Sequence, residues 1–478
     1  MNANPLRDLP SVSEVLLALP LSGQAEAFPR EQLLETIREQ LANLRERLQK
    51  GETLNGLLCP ESVAQKVADQ LTSDLRPRLR QVINATGIIL HTNLGRAPVP
   101  EQAALAAYQA ARGYLNLEMD LRDGQRSSRQ SAIRDWVCLL TGAEAATAVN
   151  NNAAATVIAL RALCAGKEVI IARGQLIEIG GSFRIPEVMA ASGALLREVG
   201  TTNVDRLKDY ESAIGPNTGA LLCVHPSNYR IRGFTQSTSL EELAGLARTH
   251  QLPLIHDIGS GALLDFKAYG FQDEPVARES ISAGADLVLF SADKLLGGPQ
   301  AGILAGKREL IERIERDPLM RAFRLDKMTL ASLETTLRIH LHSGRRESEI
   351  PVLRMLKISV PELRRRAEPL AARLCSLPGI ASAELREDVA FVGGGSLPDQ
   401  SIATLVVELE ARDLGDAKLA SALRSSNPPV IGRVRDGKVL LDLRTVFDEQ
   451  EDLLVESVRQ AVTPISFEPA GEPGFPQA

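Results

Sequence analysis

"ADLVLFSADKLLGGPQAG", residues 285–302, joins an apolar run of strand length to a small polar turn, one lysine and a glycine-rich loop. A lysine at a strand end is ordinarily a solvated surface charge. The other reading is a lysine held in a cleft with its pKa lowered, ready to form a Schiff base. Which applies depends on what the rest of the chain brings to the same place.

Working outward from that stretch, short apolar runs recur at "KEVIIAR" (167–173), "GALLCVH" (219–225) and "LPLIHD" (252–257). Amphipathic segments such as "SLEELAGLARTH" separate them. Buried strands alternating with helices predict an α/β unit with a mostly parallel sheet, whose ligands gather at the carboxyl ends of the strands. The last 130 or so residues contain "IASAELREDVAFVG", "IATLVVELE" and "VIGRVRDGKVLLDLR", where Asp436-Gly437 is a two-residue hairpin signal. They read as a smaller α+β domain. The first 70 or so residues are helical: Ser11 and Glu14 form a capping-box pattern, and apolar residues at 33, 34, 37, 41, 44 and 48 keep the helical period. The expected division is a helical domain at 1–72, a linker at 73–84 interrupted by Pro77, a large domain at 85–345 and a small domain at 346–478. The tail "SFEPAGEPGFPQA" reads as frayed.

The 478 residues are 44% hydrophobic and 24% charged, as in a globular protein, and suffice for two or three domains. Five scattered cysteines form no CxxC pair, so neither a zinc site nor a disulfide framework is suggested. The first residues lack a signal-peptide pattern and no apolar run reaches membrane-span length, which predicts a cytoplasmic protein with no membrane partner. A net charge of −6 excludes a generic nucleic-acid magnet. The local basic clusters, Arg76, Arg78 and Arg80, then Arg364–Arg366, read as solvated faces.

Four features fall at successive strand ends. "AVNNNAAATVIAL" (148–160) places Asn151, Asn152 and Ala153 where a helix begins, a setting that suits a phosphate, although an ordinary Asn-capped helix reads the same way. Asn228 follows the strand at 219–225 and Asp257 ends the one at 252–257. Ser291 precedes Lys294 by three residues. In that order they match the needs of pyridoxal 5′-phosphate (PLP): phosphate at the helix start and on Ser291, Asn228 on the ring hydroxyl, Asp257 on the ring nitrogen, Lys294 on the aldehyde carbon. No second carboxylate or histidine pair completes a metal site at Asp257.

That ordered set resembles the fold-type I PLP enzymes, with the aspartate-aminotransferase-like transferase fold over roughly 85–460. "INATGIILHTNLGRAP" (83–98), "HDIGSGAL" (256–263), "VHPSNYRIRGFT" (224–235), "RAFRLDKMTLASLE" (321–334) and "GGGSLP" (393–398) further resemble the bacterial L-seryl-tRNA(Sec) selenium transferases, or selenocysteine synthases. The resemblance implies conversion of seryl-tRNA(Sec) to selenocysteinyl-tRNA(Sec) with selenophosphate, through a PLP-bound aminoacrylyl intermediate. It implies that Lys294 and Asp293 belong to the active site and that Arg96, Arg321 and Arg324 converge on selenophosphate, the last two spaced i, i+3 as on one helical face. It implies tRNA recognition by the N-terminal domain and a homo-oligomer of dimers, a decameric ring. Arg444 lies where related enzymes bind a substrate carboxylate, which here would be esterified. Ser127 departs from the pattern, standing where a glycine is expected. The rivals are a PLP lyase acting on a free amino acid or amino sugar, and a non-catalytic tRNA-binding scaffold.

Overall fold

The computed structural model describes residues 8–19, 28–52, 54, 56–75, 77–179 and 183–463. Arg76 and the proline-rich tail lie outside them. The chain divides into two compact units, Met1–Gln81 and Val82–Ala478.

In the first unit the helix Val12–Ala18 opens with the anticipated capping box, Ser11 N–H donating to Glu14 Oε2 at 2.7 Å and Glu14 N–H to Ser11 Oγ at 3.2 Å. Helices Arg30–Gln49 and Pro60–Leu75 complete it. Their apolar stripes meet around Val15, Ile37, Leu44, Val63 and Val67, all buried. The last helix runs to Leu75, so the first residues of the expected linker are helical. Pro77 itself lies outside any helix.

Among the described residues the second unit holds two large sheets and a small antiparallel pair, Glu178–Ile179 with Phe183–Arg184. Its first strand, β1 (Ile83–Ala85), is followed by β2 (Ala145–Val149), β3 (Glu168–Ala172), β4 (Leu195–Val199), β5 (Thr218–Val224), β6 (Leu254–Gly259), β7 (Leu287–Ser291) and β8 (Gly302–Gly306). Strands β2 to β8 form one seven-stranded sheet in the order β2-β8-β7-β6-β5-β3-β4, parallel except for β8, which runs antiparallel to both neighbours. Three of these strands are buried at every residue and three more at all but one, which is why they read as continuous apolar runs rather than alternating ones. The second sheet contains β9 (Ile380–Gly393), β10 (Ser396–Ala411), β11 (Val430–Arg435) and β12 (Lys438–Asp442). Its order is β1-β11-β12-β10-β9, so Ile83–Ala85 joins a sheet formed otherwise by the last third of the chain. The Asp436-Gly437 turn takes positive φ at both residues (53° and 79°), as a type I′ hairpin requires.

The "GRAP" loop is mounted on this second sheet. Ile89 and Leu90 donate to the carbonyls of Phe391 and Val392, and a Cβ on Gly394 would come within 2.9 Å of Leu90. Ser127 donates its N–H to Glu118 O at 3.1 Å and is absent from the positive-φ residues, so the loop needs no glycine there. Two glycines fix the ends of β6 and β8. Gly261 has φ +76°, and a Cβ there would sit 2.0 Å from the Ser291 carbonyl. A Cβ on Gly302 would sit 2.2 Å from the Asn151 carbonyl.

Gly261→Ala should lower the apparent unfolding midpoint in urea by the equivalent of about 2–3 kcal/mol, through backbone strain and a backbone clash together. Gly245→Ala, inside the helix Leu240–Thr249 with nothing within 4 Å, should raise it by the equivalent of about 0.5–1 kcal/mol. Equal effects of the two substitutions would contradict the packing described.

Candidate active site

Asp257 is buried at the end of β6, where the register slips by one residue between Asp257 and Gly259. Such a bulge re-aims side chains at a strand end. The carboxylate is held from the neighbouring helix, Asn152–Cys164: Asn152 Nδ2 donates to Oδ1 and Thr156 Oγ1 to Oδ2, each at 2.9 Å. Burial pushes its pKa up, while the two donors, the Lys294 ammonium and the Gly259 N–H pull it back. His256 points to the other face of the strand, its Nδ1 3.1 Å from Ser280 Oγ.

Lys294 is buried in the loop that joins β7 to β8. Burial first, then the Arg96 guanidinium, lowers its pKa, with Asp293, Asp257 and Glu274 opposing. A neutral amine is therefore more accessible here than on a solvated lysine. The loop is tied down by Leu295 N–H to Ser260 O at 3.0 Å and Gly298 N–H to Ala292 O at 2.8 Å. Arg96 approaches from the "GRAP" loop with φ 63°, a left-handed conformation uncommon outside glycine, and its Nη1 donates to Asp293 Oδ2 at 2.9 Å.

Arg96, Asn151, Asn152, Ala153, Asp257, Ser291 and Lys294 all line one cleft of about 230 Å³. The helix start offers amides without intrahelical partners, and Asn151 caps Ala154 N–H at 2.8 Å. Within the same cleft Asn152 Oδ1 and Ser227 Oγ are buried with no hydrogen-bond partner among the described residues. A buried amine, a clamped carboxylate, a helix N-terminus and two unmet polar atoms fit PLP.

Other expected residues lie apart from this cleft. Asn228 is exposed and its amide donates to Glu178 O at 2.8 Å, so it does not line the cleft in this chain. Asp293 faces an adjoining cavity with Arg96. The helix Met320–Phe323 ends before Arg324, so Arg321 and Arg324 share no helical face. Both are exposed, although Arg324 bridges Val149 and Phe323 O accepts from Asn150 N–H beside the helix start. The Arg444 guanidinium is buried on the carbonyls of Met355, Ile358 and Ala403 at 2.7–3.0 Å. Arg364 and Arg366 are ion-paired with Glu387 and with Asp448 and Glu451.

Sequence reasoning missed Thr156, His225, Ser227 and Glu274. Thr156 had a signal, since it follows Asn152 by four residues and shares its helix face. His225 and Ser227 sit in "VHPSNYR" directly after β5, the strand end from which only Asn228 was taken. Glu274 had none, because its neighbours come from distant segments.

Residues 82–447 match the family described as L-seryl-tRNA selenium transferase, and residues 6–45 match selenocysteine synthase N terminal. The L-seryl-tRNA(Sec) selenium transferase of Solidesulfovibrio magneticus is 47% identical over 467 residues, 96% of this chain and 99% of that protein. Its counterpart from Desulfomicrobium baculatum is 45% identical over 455 residues, 95% and 98% of the two chains. Among solved structures, D-glucosaminate-6-phosphate ammonia-lyase superposes with a TM-score of 0.56 at 21% identity, covering 83% of this chain and 98% of that one. The last similarity concerns the fold.

Burial raises the Glu274 carboxyl from its ordinary 4.5 to about 7, against the pull of Lys294 and Arg230. The folded state thus binds more protons than the unfolded one between these values, and stability falls as pH rises from about 4.5 to about 7. Glu274→Gln should flatten that stretch of the stability–pH curve, read from urea midpoints. An unchanged slope would show that the carboxyl is not held protonated.

Proposed function

The chain belongs to the L-seryl-tRNA selenium transferase family, and from that membership we propose that it converts L-seryl-tRNA(Sec) to L-selenocysteinyl-tRNA(Sec) with selenophosphate and PLP. The observation that carries this reading is the buried Lys294 amine, set in one cleft with the clamped Asp257 and with Arg96, which Asp293 holds from the adjoining cavity. Bound there, PLP supplies an electron sink that lets the serine Cα lose its proton and Cβ its hydroxyl. Asp257 would hold the ring nitrogen in its protonated form. The Asn152–Ala153 amides and Ser291 would receive the phosphate. The buried Lys294 Nζ would hold the aldehyde carbon and, as a free amine, would serve as the base for the serine Cα proton. Arg96, oriented by Asp293, presents a cation in the cleft for selenophosphate. Arg321 and Arg324, exposed near the helix start, are within the same reading as further cationic contacts.

The alignments to relatives span about 95% of this chain, and a separate match covers 6–45. That support for an N-terminal tRNA-recognition unit favours an aminoacyl-tRNA substrate over a free amino acid or amino sugar. We infer assembly into dimers and a ring of them. Exposed Tyr108, Tyr114, Leu115, Met119 and Leu121 lie within one short stretch and support self-association. Among the described residues no helix is long and apolar enough to cross a membrane, and a tRNA substrate supports a cytoplasmic location.

The purified protein should be yellow with bound PLP and should turn seryl-tRNA(Sec) into selenocysteinyl-tRNA(Sec) when given selenophosphate, as measured by selenium incorporation. Borohydride should fix the cofactor covalently to the wild-type chain but not to Lys294→Ala, and that variant should lower conversion by about 10²–10⁴-fold or more. Release of ammonia or water from a small amine, with seryl-tRNA(Sec) untouched, would establish the lyase reading instead.

A further inference from the structure

Beside the cleft, on the same carboxyl edge of the large sheet, lies a second cavity of about 490 Å³ that the reaction described above leaves without a role. Segments following β3, β4 and β5 and the loop 229–238 enclose it, and it shares Val224 and His225 with the cleft. Its volume is within the roughly 300–1,000 Å³ typical of small-molecule sites. Its walls are polar, with Arg230, Arg232, Thr202 and Asn203 among them. Thr238 and Glu274 line it too, and Thr238 Oγ1 is buried without a hydrogen-bond partner among the described residues. A buried polar atom left unmet is costly, so the Thr238 hydroxyl, beside the two arginines, points to a polar occupant. Burial keeps His225 and His256 neutral near pH 7, which leaves the two arginines as the cavity's cations. The Arg230–Asp273 ion pair is long, at 3.6 Å, and open to solvent, so Arg230 can exchange it for a ligand.

The serine of an aminoacyl-tRNA is esterified to the terminal ribose, so an adenosine must lie within a few bonds of the reacting carbons. Resting on the seryl-tRNA reading, we propose that this second cavity receives the 3′-terminal adenosine of the tRNA. Arg230 and Arg232 take the terminal phosphates, as guanidinia do in bidentate fashion. The Thr238 hydroxyl and the Glu274 carboxyl take the base edge and the ribose hydroxyls. Unstacked RNA ends are commonly recognised through such groups. The rival occupant is a loop from a second copy of this chain.

The test uses the full-length holoenzyme and the trinucleotide CCA, with binding measured by calorimetry at fixed salt. Arg230→Ala should weaken CCA about tenfold or more, and the near-isosteric Thr238→Val a few-fold, with cofactor absorbance unchanged in both. Replacing the terminal adenosine by uridine should weaken binding to the wild type and have less effect in Thr238→Val. In steady state the KM for seryl-tRNA(Sec) should rise in both variants while that for selenophosphate stays put. Equal CCA affinity in wild type and both variants overturns the proposal. So does a change of oligomeric state in Arg230→Ala with CCA affinity intact, which would assign the cavity to a neighbouring subunit. If wild-type enzyme binds CCA through these residues yet leaves seryl-tRNA(Sec) unconverted, the adenosine site stands and the selenium-transfer reading falls.

Discussion

A carboxylate with almost no access to water sits at the end of the central strand of the large sheet, and the site is arranged around its compensation. Burying an isolated charge is prohibitive, so Asp257 persists only with donors on both oxygens and a cation nearby. Asn152 and Thr156 supply the donors from successive turns of one helix, and Lys294 supplies the cation from the next strand's loop. The same helix points its N-terminus at the cleft. One element therefore clamps the acid and offers a phosphate site, and neither role can move without the other.

Holding three strand ends at that spacing requires backbones to touch where side chains would normally keep them apart. Gly261 lets the turn after β6 lie against the Ser291 carbonyl, and Gly302 lets β8 lie against the Asn151 peptide. The reversed direction of β8 follows from the short loop carrying Lys294, since a parallel return would need a long crossover. Arg96 reaches the same point from a different sheet. Its loop rests on the glycines at 393–394, so the second sheet contributes to the site through packing rather than through a ligand-facing side chain.

Much of this was legible in the sequence because buried parallel strands are continuous apolar runs. β3, β5, β6 and β7 were found within a residue or two of their observed bounds. β4, whose "LLREV" is mostly exposed, carries no such run, and β8 is five small or apolar residues hidden in a glycine-rich stretch. Asp257, Ser291, Lys294 and the Asn151–Ala153 turn were placed together because each follows a strand on the same sheet edge. The Arg321 and Arg324 pairing was misjudged because spacing alone cannot reveal that a helix is a single turn. Asn228 follows β5 as expected, yet its side chain turns away from the cleft that His225 and Ser227 line, because the turn sets side-chain direction after a strand and spacing does not disclose it.

Arg444 is committed inside the fold rather than at the cleft. A guanidinium waiting for a substrate carboxylate would need to remain open at the cleft. Here all its contacts are internal: Nη1 donates to the Met355 and Ile358 carbonyls, Nη2 to that of Ala403, and its own N–H to Asp442. Burial lowers its pKa against the pull of the Asp442 carboxylate, while three backbone carbonyls take its Nη hydrogens. An esterified serine carries no carboxylate charge to exchange for these bonds. A free buried cation facing that ester would have no partner, and its desolvation would count against binding. A staple across the second sheet is the arrangement consistent with a substrate whose carboxyl is already joined to RNA.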